Sequence, residues 1–171
     1  MDLLRHELTF EEITSGIIKE MRHYWFEKRG GHLYPTMRDI NLDDLPHVKP
    51  YASIVALHHP PFRMFMRFMG AQIIYFYGRD LSDHWLDDVL TGEILEDYEI
   101  SHRMAATGEE PLLARSKWYG LHESCNKTYE WGMFPISENG VMVTHNILVE
   151  DYTHLNKDEL PVFLEPVHQT S

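Results

Sequence analysis

The chain has 171 residues, 43% hydrophobic and 25% charged, a composition that suits one folded domain and excludes wholesale disorder. A net charge of −12 sets it against phosphate backbones, and so against nucleic acid as a partner. The single cysteine, Cys125, excludes an internal disulfide and a thiolate zinc cluster.

The acidity is local: Asp80 to Glu110 holds ten acidic side chains and one basic one, Arg103. This reads as a solvated face, with selection of a basic partner as the alternative. The segment Met1 to Glu7 lacks the basic-then-apolar order of a secretory leader. No apolar run approaches the roughly 20 residues that cross a bilayer. The expectation is a cytoplasmic protein without a membrane partner.

In chain order, Thr9-Phe10-Glu11-Glu12 has the pattern of a capping box. Phe10, Ile13, Ile17, Met21 and Tyr24 follow at helical spacing, widened by Ile18 and Trp25, so an amphipathic helix is predicted up to Gly30-Gly31. This stripe can pack on its own domain or against a twin, which makes those five residues the candidate homodimer interface. An irregular stretch from His32 to Tyr51 follows, with Asn41 placed to cap one turn over Leu42 to Leu45. Ala52 to Leu57 reads as a buried strand that His58-His59-Pro60-Pro61 ends. Phe62 to Phe68 alternates, placing Arg63, Phe65 and Arg67 on one face and completing a hairpin.

From Gly70 to Gly108 the period becomes helical in short pieces: Ala71 to Tyr77, a second piece capped by Ser82, and a third capped by Thr91. The face of the third carries Leu95, Tyr98, His102 and Ala105. Strands are predicted again over Leu112 to His122, Thr128 to Ile136 and Gly140 to Val149. Asn139-Gly140 signals a tight hairpin between the last two. Val141, Val143, His145, Ile147 and Val149 then share a face. The acidic tail after Tyr152 reads as loosely held. The implied fold class is α+β, a five-stranded antiparallel sheet with short helices on one face plus an N-terminal amphipathic helix. The division is residues 1–31 as the helix, 32–152 as the domain and 153–171 as the tail.

Gly70-Ala71 followed by Gly78-Arg79-Asp80-Leu81-Ser82 resembles the helical crossover of PAS domains. Tyr24-Trp25, Arg38-Asp39-Ile40 and Leu45-Pro46 resemble the leader of short, stand-alone PAS proteins of alphaproteobacteria. The likeness spans Tyr24 to Asp151 and departs at Asp83, where that group commonly has glycine. It implies a PAS-like fold, a sensory role and a tendency to dimerise; without a catalytic constellation or a kinase or DNA-binding segment in the sequence, a non-enzymatic module whose output passes through a protein partner or a dimer is expected. The likeness leaves the cofactor open, since PAS pockets hold haem, flavin, organic acids or nothing.

The candidate ligand-binding residues are Tyr98, His102, Trp118, Arg67 and His145. His102 lies on the helix that supplies the axial ligand in haem-binding PAS proteins, while Trp118 sits with Tyr119, Tyr129 and Trp131 in an aromatic group. Arg63 and Arg67 share a strand face, where they can meet an anionic ligand or stand as ordinary exposed sheet charges. The twelve histidines show no metal-ligand spacing, and no nucleophile elbow or phosphate loop appears. Cys125 reads as a turn residue. Three functions follow: a ligand-binding sensor, an interaction module with a filled core, and, last, a small enzyme with His145 or His102 as base.

Overall fold

The computed structural model describes residues 5–118 and 126–164. Among the described residues, six antiparallel strands form one sheet: β1 (Arg5–Glu7), β2 (Ala52–His58), β3 (Arg63–Met69), β4 (Leu112–Lys117), β5 (Thr128–Ile136) and β6 (His145–Glu150). Their order is β1-β4-β5-β6-β2-β3. The helices are α1 (Gly16–Arg29), α2 (Ala71–Tyr77), α3 (Leu86–Val89) and α4 (Gly92–Thr107). The expected α+β architecture stands. The sixth strand is β1, which pairs Arg5 with Ser116 and Glu7 with Ala114 on the β4 edge. Three residues are too short to show an alternating pattern, so the sequence gives no sign of it.

The sheet is covered on both faces. Strand alternation turns Tyr129, Trp131, Met133, Leu148 and Glu150 toward α4, with whose Asp97, Tyr98 and Ser101 they line a hollow. The opposite alternation turns Glu130 and the residue after β6, Asp151, toward Thr14 and Ser15 at the start of α1. Helix α1 lies on β5 and β6, and the Trp25 indole donates to the Pro135 carbonyl at 2.8 Å. One core runs from Ile13 to Phe163. Burial of Ile13, Met21 and Tyr24 in that core corrects their placement in a dimer interface: removing them from water inside one chain leaves them no surface to share. Ile17 is half-buried, and Phe10 stays exposed beneath the Arg22 guanidinium, 4.0 Å from its ring centre.

Local chemistry moves several boundaries. Glu12 accepts from the Thr9 amide and hydroxyl, but the turn it closes is 3-10 and stops at Glu12, because Ile13 is extended. Helix α1 has its own cap, Ser15, whose hydroxyl accepts from the Ile18 amide. Trp85, not Ser82, occupies the cap position of α3. No two-residue hairpin forms at Asn139-Gly140. Asn139 Oδ1 accepts from the amides of Val141 and Met142, holding an eight-residue connection from Ser137 to Thr144. Val141 consequently lies outside β6 and is 85% exposed. In β3 the register skips Arg67: Phe68 faces Ile54 and Met66 faces Val55, which makes Arg67 the extra residue of a bulge. The tail is held as far as described: Phe163 stacks on Tyr77 with centroids 4.2 Å apart, and the Trp118 indole donates to the Pro161 carbonyl. Gly70 is required by close approach, since a Cβ there would lie 2.4 Å from the Pro50 carbonyl oxygen.

Candidate functional site

The site begins with a carboxylate at the end of a strand. Glu150 closes β6 on its inward face and is only 3% exposed. Two phenols answer it: the Tyr77 hydroxyl donates to the carboxylate at 2.9 Å, and so does the Tyr152 hydroxyl. The Tyr98 hydroxyl, from α4, hydrogen-bonds Tyr77 in turn. Tyr77 is delivered by the last residue of α2, where Gly78 in the left-handed region stops the helix. Around the phenols pack Phe76, Trp118, Tyr129 and Phe163, ring against ring.

Burial dominates the electrostatics. It pushes Glu150 up to about 7, against the opposing pull of the two donated hydrogen bonds. Burial, with the Glu150 charge beside them, raises Tyr77 and Tyr152 well above the ordinary phenol range, so both stay protonated as donors. The network is therefore a buried carboxyl near its midpoint at neutral pH, held by neutral donors.

Between this network and α4 lies a hollow of about 20 Å³, lined by Asp97, Tyr98, Ser101, Tyr129, Trp131 and Glu150 among others. That is room for about one water molecule. Its rim is held by Arg5: the guanidinium donates to Asp97 at 2.9 Å and to the Ser101 hydroxyl at 3.3 Å.

Of the five sequence candidates, only Tyr98 lines this hollow. His102 is one turn further along α4 and fully buried. Its Nδ1 and its backbone carbonyl both face the Asn146 amide nitrogen, at 3.0 and 3.3 Å. Two acceptors orient that amide as the donor, which leaves Nδ1 a lone pair and puts the proton on Nε2. Burial drives the imidazole pKa down to about 3, so it is neutral. Nε2 thus presents N–H and no lone pair, which does not fit iron coordination in this arrangement. Nε2 and Asn146 Oδ1 have no partner among the described residues. Trp118 stands in the aromatic packing behind Tyr152. Arg67 and His145 lie elsewhere: Arg67 is exposed, its guanidinium 5.3 Å from the Phe65 ring centre, and His145 is half-buried at the start of β6 with Nδ1 beside the Thr144 hydroxyl. Tyr119 and Cys125 fall outside the described residues.

Sequence reading passed over Glu150, Tyr77, Tyr152, Asp97 and Arg5. The apolar alternation in the last strand draws attention to its odd positions, whereas Asn146, Leu148 and Glu150 occupy the inward face. A polar residue in a strand covered on both sides is the available signal, and it becomes visible only once α1 is known to take the other face. Among the described residues no set of three or more His, Cys, Asp or Glu side chains is placed to hold a metal ion. None of their helices is long and apolar enough to cross a membrane. No protein-family model matches the chain, and neither does any curated protein.

Proposed function

We propose that the chain is a non-enzymatic sensory module of the bacterial PAS type. A small molecule taken up between α4 and the sheet shifts the tyrosine–glutamate network, and α1 passes the change to a protein partner or a second copy. The order of elements supports the family reading: two strands, a run of short helices, then a three-strand meander, with the first pair joined to the meander through β2 and β6.

The observation that carries the signalling part is the adjacency of Glu150 and Asp151. Glu150 belongs to the internal network, and Asp151 accepts from the Ser15 hydroxyl at 2.5 Å where α1 begins. Across the sheet, Glu130 accepts from the Thr14 and Ser15 amides at 3.0 and 2.9 Å and sits between two residues lining the hollow, Tyr129 and Trp131. A shift of β5 or β6 on the inner face therefore moves the anchors of α1 on the outer face. A ligand drives such a change only through different affinities for the two states.

A second reading, an interaction module that takes no ligand, draws on the small volume of the hollow. Native mass spectrometry of the purified chain, combined with hydrogen exchange, separates the two. The sensory reading expects a retained small molecule, or exchange at the Thr14 and Ser15 amides that responds to Glu150→Gln. A bare chain in which that substitution leaves both amides unchanged sinks it in favour of the second reading.

A further inference from the structure

The strand register places Arg5 on the sheet face that carries the site. Arg5 faces Ser116, Ser116 faces Tyr129, and one step along the same face Ala114, Trp131 and Glu150 form the next row. Directly opposed residues share a face, so Arg5 projects toward the hollow with Tyr129 and Trp131. Its guanidinium reaches α4, where it meets Asp97, Ser101 and, at 3.0 Å, the Met104 sulfur. Arg5 is buried, at 8% exposure, and the strand that carries it has three residues. Beyond the β1 ladder, the Leu8 amide donates to the Leu113 carbonyl at 2.8 Å.

The lining has the character of a cation receptor. Asp97 and Glu150 supply carboxylates, Tyr98 and Ser101 supply hydroxyls, and Tyr129 and Trp131 supply aromatic walls that attract positive charge. Arg5 satisfies this lining imperfectly. Its Nε is buried without a partner among the described residues, an arrangement that a better-fitted cation need not accept. The chain's own cation is thus held by a short edge strand against an acidic, aromatic recess.

We propose that this recess is a receptor site for an organic cation, one with a guanidinium or primary ammonium head on a short apolar stem, and that Arg5 is its tethered stand-in. The ligand displaces the Arg5 side chain from Asp97 and Ser101. With its anchor gone, β1 leaves the β4 edge, and the unpaired groups of β4 become available to another strand. The proposal rests on the sensory reading and names the ligand class of the same site.

The test uses the full chain. In Arg5→Ala, methylguanidine and n-butylamine are expected to raise the melting temperature by about 3–5 °C at ten times their dissociation constants. The neutral control n-butanol should do nothing, and adding Asp97→Asn should abolish the response. In the wild type, agmatine should speed exchange of the Leu8 amide. A folded Arg5→Ala chain that ignores both cations, or answers n-butanol equally, overturns the proposal. If Arg5→Ala does not fold, Arg5→Met keeps the stem volume without the charge, and the wild-type exchange measurement stands on its own. Coupling between Glu150 and the Thr14 amide without cation binding sinks this proposal alone, whereas cation binding to a chain that is bare as purified and lacks that coupling sinks the sensory reading alone.

Discussion

Glu150→Gln separates a buried titrating carboxyl from a buried polar packing residue. Glu150 ordinarily titrates at 4.5 and is pushed up to about 7 in the fold by burial. The native state therefore holds its proton over a range in which the unfolded chain has released it. The contribution of this group is fully favourable below pH 4.5 and is lost as pH rises through about 7. At 1.36 kcal/mol per pH unit the loss amounts to about 3 kcal/mol. Glutamine keeps the shape and an acceptor for Tyr77 and Tyr152 but has no proton to lose. The variant should match or fall below the wild type at pH 5, and exceed it by about 3 kcal/mol above pH 8. Urea unfolding of both chains at pH 5, 6, 7 and 8 measures this directly. Parallel stability curves would refute the reasoning, because they would mean that the carboxylate finds water or a cation in the folded state.

The acid limb has the opposite sign. His102 goes from 6.5 to about 3 on burial, so its contribution is present above pH 6.5 and lost as pH falls toward 3, by about 5 kcal/mol in all. His102→Gln should flatten the urea-unfolding midpoint between pH 6.5 and 4, and an unchanged slope there would place the imidazole in contact with solvent. Gly70→Ala, whose Cβ meets the Pro50 carbonyl oxygen at 2.4 Å, should lose about 1–3 kcal/mol by thermal melting, whereas a neutral result would mean that the segment at Pro50 yields freely. Phe163→Ala removes a ring stacked on Tyr77 and should destabilise by about 3 kcal/mol in the same assay, and no change would detach the tail from the core. Met21→Asp should unfold the chain rather than split a dimer, as circular dichroism and sedimentation together report, because Met21 is wholly buried within one chain.

Elements whose signals are local are legible in the order of residues alone. The run Ala71–Tyr77 is delimited by two glycines, α4 by Thr91 and Gly108, and Thr128–Ile136 by its own composition, and each appears at those residues. The Asn41 turn is likewise a matter of neighbours in sequence. Helix periodicity also brought out the face of α4 that carries Tyr98 and His102. What those faces meet is a matter of long-range packing. Whether Ile13, Met21 and Tyr24 cover a sheet or a twin depends on which surface lies nearest, and a hydrophobic stripe does not specify its partner. Whether Glu150 is a solvated strand end or a buried acid depends on residues far away in sequence: Tyr77 from α2 and, hydrogen-bonded to it, Tyr98 from α4. No local pattern encodes such a meeting, because desolvation is set by everything that packs around a group, while its identity and spacing are fixed by the chain alone.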